Sequence, residues 1–149
     1  MRSSSSWLIS LVLCAGWLGG GAATAGEPVI QVRDAWIRWL PANVPGAGYM
    51  TVTNTGAAAR VLTGASSPDY GEVSMHQTRV RNSMNEMTPV ESVELIPFRP
   101  VRFAEGGYHL MLLHPKRSLQ VGDRVLIALH FSQGPPLEVP FEVRAGSPP

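Results

Sequence analysis

The last third of the chain contains two apolar runs, RVLIALHF at residues 124–131 and LEVPFEVR at residues 137–144, with SQGPP between them. In the second run, apolar and polar residues alternate almost one for one. A period of two is typical of a β-strand that buries one face, because successive side chains of a strand point to opposite faces. Gly134 and the two prolines after it favour a turn. We therefore predict two strands joined by a short turn.

The same pattern of short apolar runs and turn residues extends back to about Val29. Strands are predicted near residues 30–39, 48–54, 60–66, 72–80, 84–89, 92–96, 109–114, 124–131 and 137–144. The stretches between them are rich in Gly, Pro, Asn and Asp, which form turns. No window has the spacing of an amphipathic helix. So many short strands in one chain of this size predict the all-β class and a two-sheet antiparallel β-sandwich.

The length and charge of the chain restrict its class and its partners. Of its 149 residues, 44% are hydrophobic and 15% are charged, which suits one domain with an ordinary core. Twelve Lys and Arg balance eleven Asp and Glu, and no basic run occurs. Nucleic-acid binding needs concentrated positive charge, so we expect no nucleic-acid partner. We expect the domain to be a monomer.

The N-terminus has the three parts of a secretory signal peptide. Arg2 supplies the positive charge, residues 7–18 form an apolar stretch, and Ala23-Thr24-Ala25 supplies small residues for cleavage. We predict a signal peptide over residues 1–25, cleaved after Ala25, and a single domain over residues 26–149 with frayed ends at 26–29 and 145–149. The apolar stretch is too short to span a bilayer stably. The mature form is therefore expected in the periplasm and not across a membrane.

The only cysteine, Cys14, lies inside the predicted signal peptide. An alternative is a lipoprotein acylated at Cys14, but Leu13 stands where such sites place a small residue. After cleavage the domain has no thiol. Blue-copper electron transfer, zinc fingers and iron–sulfur clusters are then excluded, because each needs cysteine. Any metal site of the mature domain must be built without thiolates.

His109 and Met111 are two residues apart in a predicted strand, so their side chains share one face. An imidazole and a thioether together suit Cu(I), because soft thioether ligands select this ion. A second pair, His76 and Met87, flanks the polar stretch 79–83, where a hairpin would bring the two residues to one end of the sandwich. The alternative is a structural role, because methionine fills core gaps and histidines in strands are often hydrogen-bonded.

The remaining histidines and methionines of the mature chain have a simpler interpretation. His114 is predicted to be a structural or surface residue, His130 a structural residue and Met50 a core residue. Met75 and Met84 are predicted to be core or surface residues in preference to the rim of a metal site. No residue set for nucleophilic catalysis occurs, so the chain is not predicted to be an enzyme. Four arginines could frame a docking surface or belong to a solvated sheet face: Arg79, Arg81, Arg99 and Arg102.

The spacing of His76, Met87, His109 and Met111 is H-x10-M-x21-H-x-M. This spacing matches the signature of the periplasmic copper A chaperone family, the PCuAC proteins, which the chain resembles over about residues 30–143. Other stretches resemble the same family: DAW at 34–36, AGYMTVTNTG at 47–56, GASSP at 64–68 and GGYHLML at 106–112.

The resemblance implies a cupredoxin-like antiparallel Greek-key β-sandwich that binds one Cu(I) per chain through His76, Met87, His109 and Met111. It further implies delivery of copper in the periplasm towards the CuA centre of cytochrome c oxidase. Subunit II of the oxidase would be the acceptor, and a Sco-type thioredoxin-like protein is an expected co-worker. The alternative is a periplasmic copper buffering or resistance protein without a role in oxidase assembly, because it would need the same site.

Two departures from the family pattern bear on the site. Many PCuAC proteins have a C-terminal extension rich in His and Met, whereas this chain ends in EVRAGSPP, so no second copper site is predicted. The sequence RNS at 81–83 stands where the family usually has a turn that contains Gly. Free imidazole has a pKa of about 6.5, so protons compete with copper for the histidines at low pH. We therefore expect copper affinity to fall as the pH drops below about 6.

Overall fold

The structure is a computed structural model that describes residues 29–41 and 44–146. The predicted signal peptide, its cleavage site, and residues 26–28 and 147–149 of the predicted frayed ends lie outside this part of the chain. The described residues form ten strands, contain no helix and so offer no helical membrane span. The strands are β1 (Ile30–Arg38), β2 (Gly46–Asn54), β3 (Arg60–Ser66), β4 (Tyr70–Arg81), β5 (Met84–Pro89), β6 (Val93–Leu95), β7 (Val101–Phe103), β8 (Tyr108–Pro115), β9 (Arg124–Phe131) and β10 (Leu137–Arg144).

The all-β prediction is confirmed, and each of the nine predicted strands has a counterpart within a few residues of its expected bounds. One observed strand, β7, is not predicted from the sequence. It has three residues and begins directly after Pro100, so it is too short to show an alternating pattern.

The strands join into one hydrogen-bonded sheet in the order β5-β4-β8-β7-β2-β1-β10-β9-β3-β6, with a further pairing of β8 with β2. Most neighbours are antiparallel, as predicted, whereas the two separate sheets expected from the sequence are joined here by hydrogen bonds into one sheet. Two pairs are parallel: β1 with β10, and β7 with β8 through the single pair Phe103 and Tyr108. The parallel pairing of β1 and β10 places the last described strand directly beside the first.

The sheet folds over itself and encloses one hydrophobic core. The core takes buried side chains from every strand except β5, and its largest fully buried members include Phe141, Ile37 and Met50. In β10 the alternation predicted from the sequence is seen directly, because Val139, Phe141 and Val143 are buried while their neighbours are not. Burial of this apolar surface is the main stabilising term of the fold.

Strands β4 and β5 project beyond the body of the sheet as a two-stranded arm. β4 pairs with β8 from Tyr70 to Gln77. Beyond Gln77 its only strand partner among the described residues is β5, and one further backbone bond joins Thr78 N–H to the carbonyl of Gly107. We call residues 78–88 the distal arm. All six residues of β5 are exposed. The arm is therefore held by its own hairpin hydrogen bonds, by the bond of Thr78 to Gly107 and by the continuation of β4 alongside β8, and it adds no side chain to the core.

The arm closes with a two-residue turn at Asn82 and Ser83, since Arg81 pairs with Met84. Both turn residues have positive φ, 51° and 62°, which is the pattern of a type I′ hairpin turn. Asn tolerates this conformation, whereas Gly is the usual second residue. The turn expected from the family pattern is thus formed here without glycine.

Candidate metal centre

The strand register places the four predicted ligands on one face of the β5-β4-β8 segment. His76 lies directly opposite His109, and Met111 lies opposite Ser74, two residues along β4. Met87 lies opposite Thr78, two residues along β4 in the other direction. Because side chains of a strand alternate between faces, all four ligand positions face the same way. This face is the one turned away from Leu110 and Leu112, which are fully buried in the core.

The two histidines form the centre of this cluster. Their rings have centroids 5.9 Å apart and planes tilted by 30°. His109 is only 6% exposed although it points away from the hydrophobic core. His76 Nδ1 and His109 Nε2 are buried, and neither has a hydrogen-bond partner among the described residues. Buried polar atoms without a partner are rare in folded proteins, and a metal ion would satisfy both of these.

The second nitrogen of each ring has a neighbour that can hold the ring in place. His109 Nδ1 lies 3.2 Å from the carbonyl oxygen of Gly107, which also accepts the backbone N–H of Thr78 at 3.0 Å. His76 Nε2 lies 3.1 Å from Ser74 Oγ. A proton on each of these nitrogens leaves His76 Nδ1 and His109 Nε2 with free lone pairs. This is the arrangement in which outer hydrogen bonds orient metal-binding imidazoles.

The electrostatic surroundings of His76 favour its neutral form. Burial lowers the pKa of His76 below its ordinary value, the nearby His109 lowers this pKa further, and Glu72 opposes both effects. Desolvation disfavours a charged imidazolium, and so does the presence of a second imidazole that could carry the same charge. A neutral imidazole is the form that binds a metal.

Two aromatic side chains extend the same face beside the histidines. Ala47 pairs with Met111, so Tyr49, two residues further along β2, shares the face of Met111. Trp36 pairs with Tyr49, their rings are 4.8 Å apart, and both residues are buried. The face of the candidate ligands therefore continues across β8 and β2 into a buried aromatic pair.

The exposure of the four positions increases from β8 to the distal arm. His109 is buried, His76 and Met111 are half-buried, and Met87 is 51% exposed. An ion bound here would therefore lie between a shielded imidazole on β8 and a thioether that solvent or a partner can reach.

The other histidines and methionines lie where the sequence predicted. His130 Nε2 is 2.7 Å from Ser66 Oγ, as expected of a structural residue, and His114 is exposed. Met50 and Met75 are core residues at 2% and 4% exposure. Met84 is a surface residue, and its pairing with Arg81 puts it on the face of the arm opposite to Met87.

Sequence reasoning missed the residues that support the ligands. Ser74 could have been found from its spacing, because it stands two residues before His76 and so shares its face. Nothing in the sequence indicates the role of the Gly107 carbonyl, which depends on the path of the loop between β7 and β8. The candidate docking arginines Arg79 and Arg81 lie on the face of the arm that turns away from Met87, and Arg79 donates to Gln77 there.

The donor types restrict which metal could bind. In the part of the chain that the structure describes, no group of three or more His, Cys, Asp or Glu side chains is placed to hold a metal ion. The thioethers of Met87 and Met111 lie on the same sheet face as His76 and His109 and could donate to the same ion. Neutral nitrogen and soft sulfur donors suit Cu(I) and not the hard ions Mg²⁺ or Ca²⁺.

Comparison with known proteins shows the family to which the chain belongs. The profile of the LpqE-like family ("Putative lipoprotein LpqE-like") matches residues 30–143. A protein of Leifsonia xyli subsp. xyli named "Putative lipoprotein Lxx21020" is 30% identical over 145 residues, covering 94% of this chain and 87% of the relative.

Two solved structures share the fold. The copper-bound PCuAC domain of PmoF2 has a TM-score of 0.67 and 23% identity, covering 80% of this chain and 95% of that domain. The Cu(I)-bound DR1885 protein of Deinococcus radiodurans has a TM-score of 0.58 and 27% identity, covering 85% of this chain and 83% of that protein. The cupredoxin-like character of the β-fold is thereby confirmed. The chain belongs to the LpqE-like family, which is the family of the copper-binding, chaperone-like PCuAC domains.

Proposed function

We propose that this protein is a Cu(I) metallochaperone of the cell envelope, and that it holds one Cu(I) between His76, Met87, His109 and Met111. One observation carries the proposal above all. Two histidines face each other across β4 and β8, and each has a buried ring nitrogen without a partner among the described residues. Two methionines occupy the same sheet face, one on each side of this pair. The copper-bound relatives support copper as the ion.

The charge of the donor set favours Cu(I) over Cu(II). Two imidazoles and two thioethers are neutral, so the complex keeps a single positive charge. Shielding one charge from water costs less than shielding two. Thioethers do not titrate and cannot form disulfides, so the site suits an oxidising compartment.

The gradient of exposure suggests how the ion leaves. Met87 lies on the distal arm, and a two-stranded hairpin has little stability of its own. His109 lies on β8, which contributes Leu110 and Leu112 to the core. An incoming thiolate would displace the Met87 thioether first, and thiolates bind Cu(I) more strongly than thioethers. Transfer to an acceptor with cysteine ligands would then run downhill.

The destination we propose is the CuA centre of cytochrome c oxidase, with oxidase subunit II as the acceptor and a Sco-type thioredoxin-like protein as co-worker. The resemblance to the periplasmic copper A chaperone family supports this destination, because that resemblance implies delivery towards the CuA centre. We also propose export to the periplasm with cleavage after Ala25, which the relative named as a lipoprotein supports at the level of the cell envelope. We propose no catalytic step.

An anaerobic Cu(I) titration against a chromophoric chelator tests the site. We expect one Cu(I) per purified chain, and weaker binding when any one of the four proposed ligands is replaced by Ala. Met84→Ala and His114→Ala are the matched controls, because these residues are exposed and lie on the same strands as Met87 and His109. Binding that is indifferent to all four ligand substitutions would contradict the site.

A second experiment tests the destination. Deletion of the gene should reduce cytochrome c oxidase activity at low copper, and the wild-type gene but not one encoding His109→Ala should restore it. Copper sensitivity with a normal oxidase would instead favour a buffering protein.

A further inference from the structure

The five methionines within the described residues differ sharply in their access to solvent. Met50 and Met75 are core residues, and Met111 is half-buried. Met84 is 70% exposed, and Met87 is also open to solvent on the distal arm. Oxidation of a thioether requires contact with the oxidant, so these two arm residues are the most accessible of the five methionines.

We infer that Met87 is an oxidation site at which a hydroperoxide switches copper binding off. In this reaction the sulfur lone pair of Met87 attacks a peroxide oxygen and the O–O bond breaks. The sulfur gains one oxygen and loses two electrons, and the hydroperoxide leaves as water or an alcohol. The product sulfoxide is polar and presents a hard oxygen donor in place of soft sulfur, so it binds Cu(I) poorly. This inference rests on the proposed function, because it needs Met87 to be a copper ligand.

The same geometry predicts that the metal and the oxidant compete for one atom. A lone pair of Met87 that is bound to Cu(I) is not available to attack peroxide. The loaded protein would therefore resist oxidation at Met87, whereas the empty protein would be inactivated until a methionine sulfoxide reductase restores the thioether. Oxidation would thus act on chains that carry no copper.

Met84 is a matched control within the same arm. It lies three residues from Met87 on the same exposed strand, and its pairing with Arg81 places it on the opposite face. Peroxide should reach Met84 at least as easily as Met87. A metal ion bound beside His76 and His109 should leave Met84 unprotected.

The test uses hydrogen peroxide on the full chain, empty or loaded with Ag(I), and follows each methionine by peptide mass spectrometry. Ag(I) replaces Cu(I) because it is also soft and singly charged but does not cycle with peroxide. In the empty protein we expect Met84 and Met87 to be oxidised at least about tenfold faster than Met50 and Met75. Ag(I) should slow oxidation at Met87 by about tenfold or more and leave Met84 unchanged.

The consequence for copper is measured on the same samples by Cu(I) titration. Protein oxidised at Met84 and Met87 should bind Cu(I) at least about tenfold more weakly. Met87→Gln, which resembles the sulfoxide in polarity, should reproduce this loss, and Met84→Gln should not. Treatment with a methionine sulfoxide reductase should restore binding.

Three results would overturn the inference while the copper function stands: slow oxidation of Met87 in the empty protein, equal oxidation of Met87 with and without bound Ag(I), or unchanged Cu(I) affinity after oxidation. If neither Ag(I) nor Cu(I) binds the unoxidised protein, the proposed function fails and the inference falls with it. The titration of untreated protein separates these two failures.

Discussion

Strand β8 and the distal arm each carry part of the proposed copper site, but the fold holds them very differently. β8 pairs with β4 on one side and with β7 and β2 on the other, and it contributes two fully buried leucines to the core. Within the described residues, the arm has no strand partner beyond Gln77 except its own hairpin, its one further backbone bond joins Thr78 to Gly107, and it contributes nothing to the core. In the proposed site, β8 would therefore hold the ion through shielded ligands, and the arm would supply the exposed ligand that is exchanged.

The two regions should differ most in how much an alanine substitution lowers the free energy of unfolding. Leu110→Ala removes a fully buried side chain from β8, so the free energy of unfolding should fall by about 3 kcal/mol. Val80→Ala alters a residue of the arm that is 75% exposed, and its effect should stay within about 0.5 kcal/mol. Urea denaturation of both variants measures this. A comparable loss in Val80→Ala would mean that the arm packs against the body of the protein in solution.

Replacing the ligands one at a time should separate anchoring from exchange. His109→Ala should weaken Cu(I) binding by about 100-fold or more, because it removes a shielded donor that Gly107 holds in place. Met87→Ala should weaken binding by only about tenfold, since water can reach its position. Chelator competition gives the affinities, and stopped-flow transfer to a dithiol gives the rates. The reverse ranking would place the anchor on the arm.

The pH dependence of binding should be a property of the histidines alone. Burial and the neighbouring His109 lower the pKa of His76, so protons compete with Cu(I) at this residue only below about pH 6.5. Affinity should be nearly flat from about pH 7.5 to about pH 6.5 and then fall by up to about tenfold per pH unit for each imidazole that is protonated.

Met87→Ala provides the control for this pH profile, because a thioether does not titrate. The variant should bind more weakly at every pH but keep the shape of the wild-type curve. Affinity that is flat down to about pH 5 would show that imidazole is not a ligand.

The smallest expected effect concerns the turn of the arm. Ser83 has a φ of 62°, which costs a residue with a side chain about 1 kcal/mol and costs glycine nothing. Ser83→Gly should therefore stabilise the arm by about 0.5 kcal/mol after the entropic cost of glycine. Hydrogen exchange at the arm amides should slow about twofold, with no change in the core. Ser83→Ala keeps the Cβ and should give no gain, and faster exchange in Ser83→Gly would contradict the turn assignment.

The difference between β8 and the arm was only partly predictable from the sequence. The alternation around His109 and Met111 is local, and it correctly predicts a strand with both side chains on one face. The exposure of Met87 is not local. It follows from β4 continuing past the end of its pairing with β8, which no pattern within residues 70–89 reveals.

The missed strand and the parallel pairs have a similar origin. β7 is recognisable only because β2 lies beside it, and the pairing of β1 with β10 joins opposite ends of the chain. Pairing over such separations depends on how the whole sheet closes around its core. A periodic pattern within one segment carries no information about it.

The all-β class and the turn positions could be predicted from the sequence alone, because side-chain alternation and turn chemistry act over a few residues. The spacing of four residues also made them candidate copper ligands: His76, Met87, His109 and Met111. The tertiary structure alone decided that His76 faces His109, that a ring nitrogen of each is buried without a partner among the described residues, and that Trp36 and Tyr49 flank this face. These features come from register and burial, which arise only when segments far apart in the chain pack together.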